Sequence, residues 1–418
     1  MYFSYLDTAA VSKSATLKAA KKLTAYRDRV QDTKTVLDDS VPEYALFHAA
    51  QPELHATLDA LKKQFRNISH LVLVGIGGSN LGTEAVHEAL GSSEVTLHTL
   101  DTASAHRITQ LQKDLSTIRS AKKIAVCVIS KSGGTAETLV NAGILLRALK
   151  EKYGTDIYAQ TIFIGNPDTD FMKVGKRLKV TTVSMPEVVG GRYSVGTEVG
   201  LVPLALLKHD TDAYIEGVLD ATAAQFDSVV VDHAARLFQY IQKGFRHYNF
   251  FAFDTRLVKL AAWYRQLYAE SIGKETDRSG KSFTKGFVPT ISTPTELHSV
   301  GQLYLSGFSG VYTDFVTFDD DADDYKIPSS GISKGYSGHT VQEVATAIYG
   351  GVMAAYQERG LPYRSTIFAD SSLDYSMGLF MGMRMLEIMY LAELLNVNAF
   401  NQPNVELYKV KAKKILGV

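Results

Sequence analysis

The feature that most constrains this chain is a series of short apolar runs set apart by helix-length segments. It begins with Leu71–Val74, Val95–Leu97, Ile124–Ile129 and Thr161–Ile164. A run that is apolar at every position, rather than at alternate ones, has both faces buried, which is the pattern of a parallel strand covered on each side by helices. The intervening segments are long enough for the crossover helices that parallel pairing requires. A second series follows, Asn249–Phe253, Val288–Ile291, Tyr312–Phe318 and Ser365–Phe368, alternating with helical patterns at 256–272, 339–357 and 377–395. The expected class is therefore α/β, two doubly wound units in tandem with mainly parallel sheets. The pattern predicts an N-terminal helical arm over 1–67, a first α/β domain over 68–210, a helical connection over 211–245, a second α/β domain over 246–400 and a C-terminal helix over 401–418. The arm rests on apolar positions such as Leu17, Leu23, Tyr26, Val30 and Leu37 among charged residues. Thr317–Lys326 carries five Asp and reads as a solvated loop.

Charge narrows the partners. The 44 basic residues balance 44 acidic ones, so the field of the whole molecule offers neither a nucleic-acid footprint nor attraction to an anionic membrane, and an anionic ligand must be held locally. The single cysteine, Cys127, lies within the apolar run Ile124–Ile129. It has no partner for an internal disulfide, which fits a reducing compartment. No basic-then-apolar leader opens the sequence, and no stretch approaches ~20 uncharged apolar residues. The expectation is a soluble cytoplasmic protein.

Two glycine- and hydroxyl-rich turns follow strands of the first series. Gly75-Ile76-Gly77-Gly78-Ser79-Asn80-Leu81-Gly82 comes after the first strand. Glycines there allow a tight turn and a close backbone approach, and Ser79 is placed to cap the next helix, whose free amides favour an anion. Phosphate, a dinucleotide and a purely structural turn all remain open at this motif, because Asn80 stands where the dinucleotide fingerprint has its third glycine, while Asp101 imitates the ribose-binding acid. The second turn is Ser130-Lys131-Ser132-Gly133-Gly134-Thr135-Ala136-Glu137-Thr138, ahead of an apolar helix over 139–149. Capping needs one hydroxyl; four hydroxyls with two glycines suit a doubly charged phosphate better.

Three further segments hold charge in unusual company. Gly190-Gly191-Arg192-Tyr193-Ser194 sets a guanidinium just before the apolar run 195–207, where its fork of donors can stabilise an oxyanion. Glu270 closes an aromatic-rich helix immediately before Ser271-Ile272-Gly273-Lys274, an unfavourable end for a carboxylate. His298 lies in Pro294-Thr295-Glu296-Leu297-His298-Ser299-Val300-Gly301, with Thr295 expected as the N-cap; its ordinary pKa suits proton transfer.

Together these strings, with Asn401-Gln402-Pro403-Asn404-Val405-Glu406-Leu407-Tyr408-Lys409, occur in the order found in phosphoglucose isomerases of the shorter bacterial type, and the chain resembles that family from about residue 70 to 410. The resemblance implies two sugar-isomerase (SIS) domains, a homodimer, and neither metal nor organic cofactor. It implies that Gly78, Ser79, Ser130, Lys131, Ser132, Thr135, Thr138 and Gln402 bind the phosphosugar. It also implies that Glu270 is the general base, that Arg192 steadies the enediolate, and that His298, reaching in from the partner subunit, opens the sugar ring with Lys409. Glu137 is similar to the carboxylate that orients that histidine. The sequence departs from the family at Gly134, where a hydroxyl residue is usual, and at Asn404, where glycine is usual; Asn tolerates the left-handed backbone that such a turn favours. Two rival classes stand beside this one. A noncatalytic phosphosugar-binding SIS protein would have no need of Glu270, Arg192, His298 and Lys409 together. A nicotinamide-dependent dehydrogenase would need the missing third glycine.

Overall fold

The computed structural model describes residues 1–8, 11–91, 94–319, 324–369 and 372–417. Among the described residues, ten strands form two five-stranded sheets. The first contains β2 (His70–Val74), β3 (Thr96–Leu100), β4 (Ile124–Ile129), β5 (Thr161–Gly165) and β6 (Thr181–Ser184), all parallel, in the order β3-β2-β4-β5-β6. The second contains β7 (His247–Ala252), β8 (Val288–Ser292), β9 (Val311–Phe318) and β10 (Tyr363–Phe368), parallel in the order β10-β9-β7-β8. Its outer edge is closed by β1 (Tyr2–Leu6), antiparallel to β10. The tandem α/β class expected from the sequence is the fold observed.

The unbroken apolar runs have a direct structural counterpart. In β4, Ala125, Cys127 and Ile129 enter one core while Ile124, Val126 and Val128 enter another on the opposite face. The period of two along a strand thus feeds two helical layers at once. The core on the first face also takes in Tyr248, Phe250 and Tyr312 of the second sheet. One continuous apolar interior therefore joins the two sheets, and the helices Glu198–Leu206, Thr211–Asp220, Val258–Ile272 and Leu373–Leu395 carry it. Two of these cross at van der Waals limit: a Cβ at Gly378 would lie 2.0 Å from the Tyr214 carbonyl oxygen, and one at Gly217 would lie 2.1 Å from that of Tyr375.

Four local expectations are corrected. The helical arm does not reach the start of the chain, because Tyr2–Leu6 pairs with β10; a five-residue strand at a sheet edge leaves almost no periodic signal in sequence. β6 was also invisible as Thr-Thr-Val-Ser, too short and too hydroxylated to read as an apolar run. Ser79 does not cap the next helix: Gly77–Ser79 is a 3₁₀ turn, Asn80 occupies the N-cap position, and its side chain makes no capping bond. At 294–298 the cap is Thr293, not Thr295, in a reciprocal capping box with Glu296. Of the acidic loop, Thr317 and Phe318 belong to β9, and residues 320–323 lie outside the described residues.

Candidate active site

In the first sheet β3 lies on one side of β2 and β4 on the other, so the chain order reverses between β2 and β4. Ligands of open α/β sheets bind at such a switch point, beyond the carboxyl ends of the strands. Both hydroxyl-rich turns emerge there. Val74 and Val128 are register partners, and a Cβ at Gly75 would lie 3.4 Å from the Ile129 carbonyl oxygen, so the turns start side by side.

The second turn leads into the helix Ala136–Tyr153, with Thr135 at its N-cap. The Thr135 side chain makes no capping bond. The hydroxyls of Ser130 and Thr138 are buried without a hydrogen-bond partner among the described residues. Leaving a buried hydroxyl unpaired costs ~1–3 kcal/mol, so two of them beside the free amides of a helix start describe a cradle that an anion completes. Ser132 Oγ accepts from the Gly134 amide at 3.3 Å. Lys131 Nζ donates to the Val189 carbonyl at 2.9 Å, and burial draws its pKa below the usual lysine value. Glu137 lies in the first turn of the same helix and makes no side-chain bond among the described residues.

The first turn has a different use for its glycines. A Cβ at Gly78 would fall 2.1 Å from the carbonyl carbon of Gly191. Gly78 is thus consumed by contact with the loop that carries Arg192. Gly77, at φ +63°, faces the Gln266 side chain, which a Cβ there would meet at 2.9 Å.

Gln266 and Glu270 are one turn apart on the helix Val258–Ile272, so they share a face. Gln266 Nε2 donates to Glu270 Oε1 at 3.0 Å, and Arg192 Nη1 donates to Glu270 Oε2 at 3.1 Å. Arg192 is 1% exposed while the Glu270 side chain keeps 32%: the cation is sunk into the protein and the carboxylate faces outward. The guanidinium is fixed from all sides, Nε to Ser271 Oγ at 2.8 Å, Nη1 to Gln402 Oε1 at 2.8 Å, and Nη2 to the Ala399 and Asn401 carbonyls. Ser271 Oγ is itself held by Tyr193 Oη at 2.9 Å. A planar fork with several fixed acceptors is preorganised, a role that Lys in its place could not fill.

Arg192, Glu270 and Gln402 are therefore brought together, and Gly78 packs against the Arg192 loop. Among the described residues, His298 and Lys409 make no bond to them. His298 is exposed on the short turn Pro294–His298, and among the described residues Lys409 pairs only with Glu406, at 2.7 Å, one turn away. The helix Glu406–Leu416 has no buried side chain, so within this chain only the strap before it reaches the site, not the helix itself. Sequence reading missed Gln266, whose signal was its place four residues before Glu270, and the roles of Ser271 and Lys274, which sat within a quoted motif. No three His, Cys, Asp or Glu side chains converge to hold a metal ion among the described residues, and no helix there is long and apolar enough to cross a membrane.

Fold and site together define a tandem doubly wound α/β protein that sets an anion cradle beside an outward-facing carboxylate backed by a buried guanidinium. Residues 16–417 match the family described as Phosphoglucose isomerase, and the chain belongs to that family, a family of aldose–ketose isomerases. It is 31% identical over 358 residues to a glucose-6-phosphate isomerase of Thermus thermophilus, covering 84% of each chain. A crystal structure of a Thermus thermophilus protein described as hypothetical superposes with a TM-score of 0.85 at 28% identity, covering 100% of both chains. A glucose-6-phosphate isomerase from Chlamydia trachomatis shares the fold at a TM-score of 0.82 and 18% identity, over 99% of this chain and 88% of that one.

Proposed function

We propose that the seam between the two domains interconverts glucose-6-phosphate and fructose-6-phosphate, as a step of glycolysis and gluconeogenesis in the cytoplasm. The phosphate sits on the hydroxyls of Ser79, Ser130, Ser132, Thr135 and Thr138 and on the amides around them. Glu270 takes the proton from carbon 2 of the open-chain aldose and returns it to carbon 1, which leaves the ketose. An ionised carboxylate has about four acceptor positions, so the bonds from Gln266 and Arg192 orient it without exhausting it. Arg192 faces the negative charge that develops on the enediolate oxygens, in a site where a fixed, desolvated donor is worth far more than in water. His298 and Lys409 open the ring, and Glu137 orients His298.

The observation that carries this reading is the Glu270–Arg192 pair: a purely structural ion pair would gain nothing by leaving its carboxylate partly exposed next to Gln266, which packs against the first glycine turn. The enzyme acts as a homodimer in which His298 crosses to the partner's Glu270. This is supported by the exposure of His298, which among the described residues makes no bond to Glu270 of its own chain, and by exposed apolar residues, Leu407, Val410, Ile415 and Leu416 on the last helix and Val341 and Ile348 on another. A coupled assay on fructose-6-phosphate with chelator present tests the activity. Glu270→Gln keeps shape and hydrogen bonding but removes the proton acceptor, so kcat should fall at least ~100-fold with KM little changed. Near-normal turnover would refute its role as base. Mixing inactive Glu270→Gln and His298→Ala subunits should restore activity, since hybrids regain one complete site; no recovery despite hybrid formation would refute the shared site.

A further inference from the structure

The strap of residues 399–402, between the helices Leu373–Leu395 and Glu406–Leu416, is gripped by two cations. Arg192 reaches the carbonyls of Ala399 and Asn401 and the amide oxygen of Gln402. Lys274, one residue past the Gly273 that ends the Glu270 helix, bridges in the other direction. Its Nζ donates at 2.5 Å to the carbonyl of Glu270 and also to that of Asn401. The Glu270 carbonyl is one of the last in its helix, which have no partner within the helix and favour a cation. Asn401 O is thus shared between the guanidinium and the ammonium, and the next residue, Gln402, bonds the guanidinium that pairs with Glu270.

We infer that Lys274 is a positioning residue for the isomerisation: its ammonium fastens the strap 399–402 to the helix end that carries Glu270, and so fixes Gln402 and the approach of the last helix relative to the base. The inference rests on the isomerase activity proposed above, but the clamp itself is a property of the unliganded chain. Bonds from a charged donor are about twice as strong as neutral ones. The charged groups that face it are Arg192, on the loop before the helix Glu198–Leu206, and Glu270, on its own helix. Burial and the Arg192 charge draw its pKa down to about 8, against the pull of Glu270.

Two measurements on wild type, Lys274→Met and Lys274→Arg test this. Hydrogen exchange of the 397–405 segment, without substrate at pH 7, reads the clamp independently of turnover; Lys274→Met should exchange at least ~10-fold faster there, the scale expected on losing one or two charge-assisted bonds. Lys274→Arg should keep the protection. At pH 7, the kcat of Lys274→Met should be reduced by about 10-fold or more with KM little changed, and Lys274→Arg should retain activity. Unchanged exchange in Lys274→Met, or a kcat unchanged in Lys274→Met, overturns the inference. Inactive wild type whose strap still loosens in Lys274→Met would count against the isomerase assignment and for the clamp.

Discussion

Two hydroxyls in the cradle illustrate how function and stability separate at single positions. Ser130 Oγ and Thr138 Oγ1 are buried and unpaired among the described residues, so each carries a desolvation cost that a ligand relieves. Thr138→Val replaces the hydroxyl with a methyl of the same shape and removes that cost. The expected outcome is an unchanged or raised melting temperature together with a severalfold rise in KM and weaker inhibition by inorganic phosphate. A fall in stability with unchanged KM would make Thr138 a structural residue. The hydroxyl count in the sequence pointed to this turn, but which hydroxyls lack partners depends on what packs over them.

At the scale of elements, glycines set how closely parts of the scaffold approach. The crossing of Thr211–Asp220 with Leu373–Leu395 has no room for a methyl at Gly378. Gly378→Ala should lower stability by ~1–3 kcal/mol, the usual cost of overpacking, read as a reduced urea midpoint. Because the same long helix leads to the strap 399–402, activity should fall along with it. A wild-type midpoint would mean that the two helices separate freely. Gly78, pressed against Gly191, plays the same part beside the loop that carries Arg192. In sequence, the Gly78 motif looks like a phosphate loop; its use as a packing surface for the Arg192 loop emerges only once residues over a hundred positions apart meet.

Across the whole molecule, the second domain is pinned by a buried ionic cluster that no local pattern announced. Arg364 bonds Asp314 and Glu387, Arg384 pairs with both carboxylates, and Tyr248 and Tyr264 donate to Asp314 and Glu387 respectively. His233 lies 3.3 Å from Glu387 and meets Tyr5 of β1 on its other side, so the cluster also anchors the edge strand. Two guanidinium groups and two carboxylates balance, whereas removing one charge strands another; Glu387→Gln should cost ~3–5 kcal/mol. Burial alone would raise the Glu387 pKa, but Arg364 and His233 hold it at about 2, below its usual 4.5. A depressed carboxylate gives stability that is fully present above pH 4.5 and is lost as pH falls towards 2. The gap in urea midpoint between wild type and Glu387→Gln should therefore be constant above pH 5 and shrink below it; a gap independent of pH down to 3 would contradict this assignment.

The sequence by itself determined the two tandem sheets, because a strand buried on both faces must be apolar throughout and a parallel neighbour must be reached through a helix. It also marked Arg192, Glu270 and the hydroxyl turns, since a charge or a row of hydroxyls beside glycine at the end of an element stands out against local propensity. Tertiary structure alone decided the rest: β1 at the far sheet edge, Gln266 on Glu270, Gly78 against Gly191, and Lys274 across to Asn401. Each of these joins parts of the chain whose separate patterns are ordinary, and a contact is specified by the packing of both partners, which neither stretch of sequence encodes alone.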